Sequence, residues 1–255
     1  MKAMVLCAGK GTRLGELTLE LPKPLLDIHG RPILDRILAN LARHGFTEVV
    51  LNLHHRSDAI RAYVGDGSAW GLKLALVEEA ELLGTAGSVR HAAHLLGGPG
   101  PILVHYGDVV TDQDLTAMVS FHQEKAALAT LLLHQRAHSN SVVVLDEEQR
   151  IQRLLERPTE AERKGVESPW VNSGIYLLDP AVLSLIPVGH SDFPRQVFPG
   201  LISSGRLLGF PLTGYRCAID SPERLERART DLQDHPWPEP TRLRQASGPR
   251  HSPHA

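Results

Sequence analysis

Short apolar runs alternate in the first half of the chain with longer stretches in which apolar residues recur every three or four positions. The runs are typical of buried strands, and the longer stretches are typical of amphipathic helices. Strands are predicted at residues 2–7, 48–53, 73–77, 102–105 and 128–134, and helices at 33–44, 58–64, 86–95 and 114–124. This alternation predicts right-handed crossover connections and a mainly parallel sheet.

Beyond residue 134 the predicted strands are shorter, at 141–146, 150–156 and 170–178. We expect them to add α+β elements to the same sheet. Ser221 followed by Pro222 is an N-cap and first-turn pattern, which predicts a helix at 222–233. Residues 235–255 hold five prolines and few apolar side chains, so we expect one domain at 1–234 and a disordered tail at 235–255.

The charge balance and the cysteine content exclude several classes of protein. The 27 basic and 29 acidic residues give a net charge of −2, so no overall field attracts the chain to nucleic acid or to an anionic membrane. Cys7 and Cys217 are too few for a disulfide framework, and no apolar run is long enough to span a membrane. We therefore expect a cytoplasmic protein with neither nucleic acid nor membrane as a partner.

A glycine-containing loop follows the first predicted strand. Gly9 and Gly11 allow the backbone to approach a ligand and aim its N–H groups at an anion, and Arg13 and Lys23 add positive charge. The next glycine comes one residue too late for G-x-G-x-x-G, and the P-loop pattern is absent, which disfavours dinucleotide oxidoreductases and P-loop ATPases. The alternative is an ordinary turn with solvated basic residues.

The segments G-x-G-T-R-L at 9–14 and P-K-P-L at 22–25 resemble the hallmark of the sugar-1-phosphate nucleotidyltransferases. Further motifs similar to that family follow in order at 83–87, 106–108, 156–158, 171–176 and 192–193. Within the family the chain most resembles the mannose- or heptose-1-phosphate guanylyltransferase type. The resemblance implies an α/β, Rossmann-like (GT-A-like) fold with a mixed, mainly parallel sheet and helices on both faces. It also implies transfer of a nucleoside monophosphate from a nucleoside triphosphate to a sugar 1-phosphate, with release of pyrophosphate.

Joining two phosphorylated substrates requires charge neutralisation more than acid–base catalysis. The second pKa of a phosphomonoester is about 6, so the attacking group is already largely an anion at neutral pH. The site must bring two polyanions together while pyrophosphate leaves, which requires Mg²⁺, fixed cations and backbone N–H donors. A nucleoside triphosphate and a sugar 1-phosphate are the expected partners, and Mg²⁺ is the expected cofactor.

The resemblance assigns the triphosphate to Arg13 and Lys23 as the catalytic residues. It implies that the other nucleotide-binding residues are Ala8, Gly9, Gly11, Thr12, Glu79, Gly84 and Thr85. Glu79 stands where the family has a base-facing glutamine. An ionised carboxylate only accepts hydrogen bonds, which suits the N1–H and 2-amino donors of guanine and favours GTP. The alternative is a solvated glutamate in an acidic run.

The same resemblance assigns the acceptor sugar phosphate to Gly107, Glu156, Arg157, Asn172 and Gly174. Arg157 stands where the family has a lysine. It keeps the positive charge, but its planar guanidinium alters the placement of the acceptor. Asn172 and Gly174 would complete the sugar pocket, with a simple strand turn as the alternative.

The resemblance also implies two metal ligands, the first of which is Asp108. Asp108 ends a short apolar strand, where open α/β sheets bind ligands, with a turn or helix-cap residue as the alternative. Aligned on Pro222, the family's second metal ligand falls at Ala218, so a carboxylate is missing there. Asp220 shares a strand face with position 218 and could replace it. The alternatives are a metal held mainly by Asp108 and phosphate oxygens, and a helix-capping role for Asp220.

Two other functions are compatible with these residues. The missing carboxylate at Ala218 and the exchange at Arg157 allow a noncatalytic homologue that senses a nucleotide sugar or partners an active subunit. The same reaction with phosphocholine or a cyclitol phosphate as the acceptor is the other alternative. The sequence does not determine the sugar, the nucleobase or the oligomeric state, and a homo-oligomer is among the alternatives.

Overall fold

The computed structural model describes residues 1–137, 139–235 and 237. Within these residues the strands are β1 (Lys2–Leu6), β2 (Asp27–Ile28), β3 (Arg31–Pro32), β4 (Glu48–Leu53), β5 (Lys73–Glu78), β6 (Ile102–Tyr106), β7 (Val109–Thr111), β8 (Ala129–Gln135), β9 (Ser141–Leu145), β10 (Ile151–Glu156), β11 (Trp170–Leu178), β12 (Leu207–Pro211) and β13 (Arg216–Ala218). The α-helices are α1 (Ile33–Arg43), α2 (Ser57–Val64), α3 (Gly84–His91), α4 (Ala93–Leu96), α5 (Leu115–Glu124), α6 (Glu160–Arg163), α7 (Phe198–Ile202) and α8 (Pro222–Asp231). Short 3₁₀ turns lie at Thr12–Thr18, Lys23–Leu25, Ser68–Trp70 and Pro180–Leu185, and a π-helical turn lies at Phe193–Val197. None of these described helices is both long enough and apolar enough to cross a membrane.

Nine of these strands form one mixed sheet in the order β10-β9-β11-β6-β1-β4-β5, with β8 paired to β11 and to β12. The central strands β6, β1, β4 and β5 are parallel, and Val5 of β1 pairs with Leu51 on one side and His105 on the other. β11 joins this group antiparallel to β6, which brings the second half of the chain into the same sheet. The predicted mixed sheet with a parallel centre is confirmed.

Helices cover both faces of the sheet, and each face has its own hydrophobic core. Along β1, Ala3 and Val5 belong to one core and Met4 to the other, as the alternation of side chains along a strand requires. The first core takes the apolar faces of α1, α2, α5 and α8, and the second takes those of α3, α4 and α7. The predicted Rossmann-like α/β fold with helices on both faces is confirmed.

Several short elements differ from the predicted pattern. β12 has the sequence Leu-Leu-Gly-Phe-Pro, and glycine and proline disfavour a strand prediction, yet it pairs in parallel with β8 and buries Leu207 and Leu208. The helix predicted at 86–95 begins at Gly84 and is divided at Ala92 into α3 and α4. Contacts with distant parts of the chain decide these elements.

Two residues of the predicted tail contact the domain. His235 Nε2 lies 2.7 Å from Asp112 Oδ2, and the Arg36 guanidinium carbon lies 5.1 Å from a ring centre of Trp237. Residues 236 and 238–255 lie outside the described residues, so the disorder expected there stays a prediction.

His122 on α5 generates a prediction about stability at low pH. Its ring is buried, with Nδ1 2.8 Å from Thr130 Oγ1 on β8, and burial lowers the pKa of His122 from 6.5 to about 4. The unfolded chain therefore binds this proton at a higher pH than the folded chain. The contribution of His122 to the free energy of unfolding is fully present above pH 6.5 and is lost as the pH falls towards 4. Glutamine does not titrate. Between pH 7 and pH 4.5 we therefore expect the unfolding free energy of His122→Gln to fall by about 2 to 3 kcal/mol less than that of the wild type.

Urea unfolding at several pH values measures this difference. The exposed His91→Gln variant is the matched control, and it should follow the wild type. Parallel curves of unfolding free energy against pH for the wild type and His122→Gln would contradict the lowered pKa.

Candidate active site

A cleft of about 370 Å³ opens at one edge of the central sheet. The strands β1, β4, β5 and β6 are parallel, so their carboxyl ends meet at this edge. The predicted residues that line the cleft are Ala8, Gly9, Gly11, Thr12, Arg13, Lys23, Glu79, Gly84, Thr85, Gly107 and Asp108. The other predicted residues lie within the described chain but outside this lining, namely Glu156, Arg157, Asn172, Gly174 and Asp220.

The glycine loop after β1 forms one wall of the cleft. The carbonyl oxygen of Gly11 accepts hydrogen bonds from Leu14 N–H at 2.9 Å and from Thr18 Oγ1 at 3.2 Å, which fixes the entry into the following 3₁₀ turn. A Cβ on Gly9 would meet no other atom within 4 Å, so the backbone there borders open space. The loop is thus anchored at one end and approachable by a ligand at the other.

Lys23 contacts Asp108 across the cleft, although 85 positions separate them in the sequence. Pro24 and Leu25 are buried, and Leu25 N–H donates to the carbonyl oxygen of Pro22 at 2.8 Å, which holds the turn that carries Lys23. Lys23 Nζ lies 2.5 Å from Asp108 Oδ2, and the two side chains are only 13% and 28% exposed. The pair places a fixed cation and a carboxylate together at the end of β6.

Arg13 is far more exposed than Lys23. Its side chain is 66% exposed, and its Nη1 lies 3.6 Å from Asp220 Oδ2. A long exposed side chain at the rim can reorient towards a bound anion, whereas Lys23 is held in place. The two predicted catalytic residues therefore supply one exposed and one largely buried positive charge to the same cleft.

Asp108 and Asp220 are brought together by the backbone. Ile219 N–H donates to the carbonyl oxygen of Asp108 at 2.8 Å, so the next residue, Asp220, stands beside Asp108. Asp220 Oδ1 lies 3.1 Å from Arg224 Nε, and the side chain that caps α8 is that of Ser221, so Asp220 is not the helix cap.

These two carboxylates suit a divalent cation, which accepts carboxylate oxygens and commonly completes its shell with water and substrate phosphates. Among the described residues there is no group of three or more His, Cys, Asp or Glu side chains able to hold a metal. Ligands from a bound phosphate or from water would therefore have to complete the coordination of a metal here. Asp108, the carboxylate in the cleft lining, is the stronger candidate of the two.

Glu79 is buried in the cleft wall, with 3% of its surface exposed, so the solvated alternative is wrong. Its Oε1 accepts from Asn52 Nδ2 at 2.8 Å, and its Oε2 accepts from Leu83 N–H at 3.2 Å. Asn52 also donates to Ser88 Oγ at 3.1 Å and accepts from Cys7 N–H at 2.8 Å. This network joins the ends of β1, β4 and β5 to α3. It fixes the carboxylate while leaving each oxygen able to accept a further hydrogen bond.

The first turn of α3 borders the cleft and is held by the segment around Asp192. Gly84 has a φ of +74°, and a Cβ there would lie 2.5 Å from the carbonyl oxygen of Ser191, so a side chain does not fit. Asp192 Oδ1 accepts hydrogen bonds from Thr85 N–H at 2.9 Å and from Thr85 Oγ1 at 3.0 Å. The Thr85 hydroxyl accepts in turn from Phe193 N–H at 3.0 Å. Gly84 and Thr85 therefore position the helix against this segment.

Asn172 and Gly174 reach the cleft through Tyr106. Asn172 Nδ2 donates to the hydroxyl of Tyr176 at 2.8 Å, which donates to the hydroxyl of Tyr106 at 3.1 Å. A Cβ on Gly174 would lie 3.0 Å from the Tyr106 ring. Gly174 N–H also donates to Asn172 Oδ1 at 3.0 Å, so the predicted strand turn is present as well. Because Tyr106 lines the cleft, these residues shape its wall.

Glu156 is the last residue of β10 and Arg157 follows it, and neither side chain is part of the cleft lining. Burial raises the pKa of Glu156, the charges of Arg157 and Arg195 oppose this shift, and the charge of Asp192 in the cleft lining adds to it. Arg157 is exposed, and its N–H donates to the carbonyl oxygen of Asn140 at 2.5 Å. Glu156 also acts on the pKa of Tyr106 in the cleft wall, and the acceptor role of Glu156 and Arg157 stays a prediction.

Several residues that line the cleft have no role predicted from the sequence, namely Asn52, Ser88, Tyr106, His190 and Asp192. Asn52 carried a signal, because it is a polar residue inside the apolar run of β4. Tyr106 and Asp192 stand in motifs that the analysis singled out. For Ser88 and His190 the local pattern contains no signal, since long-range packing alone places them at the cleft.

Comparison with known proteins agrees with this geometry. A family model described as nucleotidyl transferase matches residues 2–214. The chain belongs to the nucleotidyl transferase family.

Curated relatives of this nucleotidyl transferase carry different substrate names. This chain is 34% identical over 235 residues to mannose-1-phosphate guanylyltransferase of Mycobacterium tuberculosis, and the alignment covers 90% of this chain and 64% of the relative. It is also 34% identical over 222 residues to UTP–glucose-1-phosphate uridylyltransferase of Synechocystis, covering 80% of this chain and 56% of the relative. The chain thus spans 56% to 64% of the length of these relatives.

Solved structures share the fold of this nucleotidyl transferase. A putative glucose-1-phosphate thymidylyltransferase from Bacillus anthracis superposes with a TM-score of 0.81 at 21% identity, covering 94% of this chain and 98% of that one. HddC from Yersinia pseudotuberculosis, solved with GMP-PN, gives a TM-score of 0.75 at 22% identity, covering 91% of this chain and 99% of that one. The Rossmann-like nucleotidyltransferase fold is thus shared at low sequence identity.

Gly84 generates a prediction about the cleft. Gly84→Ala combines a left-handed backbone with a clash against the Ser191 carbonyl oxygen, whereas Gly71→Ala has a similar φ of +68° and no atom within 4 Å. We expect Gly71→Ala to cost about 1 kcal/mol of unfolding free energy from its backbone alone. Gly84→Ala should cost about 1 to 3 kcal/mol more and weaken nucleotide binding, because α3 must shift.

Urea unfolding and titration with a fluorescent GTP analogue measure the two effects. Equal losses of stability in the two variants, with nucleotide affinity unchanged in both, would contradict the close contact at Gly84.

Proposed function

We propose that this nucleotidyl transferase transfers a nucleoside monophosphate from a nucleoside triphosphate, with GTP favoured, to a sugar 1-phosphate. The products are a nucleotide sugar and pyrophosphate. The observation that carries the proposal is the contact between Lys23 and Asp108 beside the glycine loop, in one cleft at the carboxyl ends of parallel strands. It supplies the fixed charges that a reaction between two polyanions requires.

In the proposed reaction an oxygen of the acceptor phosphate attacks the α-phosphorus of the triphosphate. The bond from the α-phosphorus to its bridging oxygen breaks, and pyrophosphate leaves with the electron pair. The attacking oxygen is already largely ionised, so no general base is needed. Lys23 and Arg13 stabilise the charge that develops on the leaving pyrophosphate, and the backbone of residues 8–12 provides N–H donors.

We propose Mg²⁺ as the cofactor, held by Asp108 with Asp220 beside it. When bound, Mg²⁺ neutralises phosphate charge and orients the phosphate oxygens. Lys23 holds Asp108 through Oδ2, and no described residue donates a hydrogen bond to Oδ1, so that oxygen remains available. Arg13 and Arg224 hold Asp220 at the rim of the same region.

Glu79 supports guanine as the base. Its carboxylate is fixed in the cleft wall by Asn52 and Leu83, and both oxygens keep acceptor capacity for the N1–H and 2-amino donors of guanine. A uracil or thymine base offers a single N–H between two carbonyl oxygens at its pairing edge and would place a carbonyl against this carboxylate. The relatives include both a guanylyltransferase and a uridylyltransferase and do not separate the two bases. Glu79 is therefore the residue that favours GTP.

A pyrophosphate-release assay tests the proposed function. GTP, ATP, UTP and dTTP are crossed with several hexose and heptose 1-phosphates and with phosphocholine, each with and without Mg²⁺. We expect the fastest release from GTP with a sugar 1-phosphate and only in the presence of Mg²⁺.

The other outcomes separate the rival functions. A clear preference for UTP or dTTP would remove the argument from Glu79, and release with phosphocholine alone would change the acceptor. No release from any combination would favour the noncatalytic homologue.

Lys23 generates a prediction about catalysis. In Lys23→Met the charge beside Asp108 is lost while the length of the side chain is nearly kept. We expect kcat/KM to fall by about 10² to 10³, as when one fixed donor to a developing anion is removed. Lys10→Met is the matched control, because Lys10 is an exposed lysine whose side chain is not part of the cleft lining. Steady-state kinetics measure both variants, and equal kcat/KM values in the two would contradict the role of Lys23.

A further inference from the structure

Arg216 is a half-buried arginine that interacts electrostatically with Asp108 and has no role in the proposed reaction. It begins β13, where the next residue, Cys217, is buried in the core. Because side chains alternate along a strand, Arg216 and Ala218 share the opposite face. The strand pairs with β7, and Ala218 lies opposite Val109, the residue that directly follows Asp108. The alternation and register therefore place Arg216 on the same strand face as the position where a carboxylate is missing.

The guanidinium of Arg216 has more donors than partners. Nη2 donates to the carbonyl oxygen of Ser173 at 2.9 Å, and Nε is buried without a hydrogen-bond partner. The carboxylates of this region form salt bridges with other cations, Asp108 with Lys23 and Asp220 with Arg13 and Arg224. A buried N–H without an acceptor is unfavourable, so an anionic ligand would stabilise this arrangement.

The contact with Ser173 places the guanidinium between the two proposed substrate sites. Ser173 lies between Asn172 and Gly174 on β11, and Gly174 packs against the ring of Tyr106 in the cleft wall. On its other side, the strand of Arg216 runs next to the residues that follow Asp108. The guanidinium therefore stands between the acceptor residues on β11 and the end of β6.

The charges around Arg216 agree with this position. Burial lowers the pKa of Arg216, the carboxylate of Asp108 opposes the shift, and Arg224 adds to it. His134 Nδ1 lies 2.9 Å from Ser173 Oγ, and burial followed by the charge of Arg216 lowers the pKa of His134 to about 3. His134 is therefore neutral near pH 7. Arg216, whose guanidinium stays charged, is the cation bound to Ser173.

We propose that Arg216 binds the phosphate of the acceptor, a phosphomonoester dianion, and holds it beside Asp108. This inference rests on the proposed function, because the attacking phosphate must lie next to the α-phosphate at the end of β6. The N–H donors of Arg216 that remain unused match the oxygens of a phosphate. Arg157, to which the resemblance assigns this phosphate, is exposed, whereas Arg216 is held by Ser173 and keeps a buried N–H without an acceptor.

Isothermal titration calorimetry with mannose 1-phosphate, glucose 1-phosphate and inorganic phosphate tests the proposal on the full chain. We expect Arg216→Gln to raise the Kd of the sugar 1-phosphates by about 10- to 100-fold, the effect of losing a hydrogen-bonded charge. Arg216→Lys keeps the charge but loses the fork of donors, so its loss should be smaller. The Kd of GTP should change by less than about threefold in both variants, because Lys23 and Arg13 hold the triphosphate.

The exposed Arg136→Gln variant is the matched control for a lost positive charge close to His134. It should bind sugar 1-phosphates like the wild type. Thermal unfolding of every variant shows whether the fold is kept. If Arg216→Gln is unfolded, the affinity of Arg216→Lys is compared with that of the wild type instead.

Wild-type affinity for sugar 1-phosphates in Arg216→Gln, or an equal loss in Arg136→Gln, would overturn the proposal. A loss confined to Arg157→Gln would also overturn it and return the phosphate to that residue. The proposed function fails by a different result, the absence of pyrophosphate release by the wild type. Phosphate binding that depends on Arg216 is measurable without turnover, so the two failures are distinguishable.

Discussion

The parallel direction of four strands is the constraint on which the rest of this structure depends. β1, β4, β5 and β6 run side by side in one direction, so the residues that follow them meet at one edge of the sheet. The glycine loop, Glu79 and Asp108 follow three of these strands, and Asn52 lies near the carboxyl end of the fourth. The polar walls of the cleft follow from this topology, because the parallel strands bring residues that are dozens of positions apart to the same edge of the sheet.

Charge placement within the cleft follows a second physical rule. Lys23 is held between buried prolines and pairs with Asp108, whereas Arg13 remains exposed at the rim. A fixed charge such as that of Lys23 stabilises a developing anion without reorganisation. Arg216, which donates to the carbonyl oxygen of Ser173, is the cation that we propose for the acceptor phosphate near β11.

The sequence predicted the alternating elements and the glycine loop well, because apolar periodicity and glycine spacing are local properties. Glu48–Leu53 and Trp170–Leu178 match their predicted bounds. β12 was not predicted because its Gly and Pro disfavour a strand, and it forms through its pairing with β8. Glu156 and Arg157 stand at and just after the end of β10, outside the cleft lining, and their acceptor role stays a prediction. Asn52 could have been noticed as a polar residue in an apolar strand, but its bonds to Glu79 and Ser88 depend on three separate elements.

By itself the sequence determined the fold class, the family resemblance and the kind of charge available, since each is carried by short-range pattern and residue type. The tertiary structure alone decided which charges act together. Lys23 reaches Asp108 across 85 positions, Glu79 becomes a buried and oriented acceptor, and Asp220 is excluded as the cap of α8 by the position of Ser221. Electrostatic interactions and hydrogen bonds depend on distances of a few ångströms, and only the folding of strands into one sheet sets those distances.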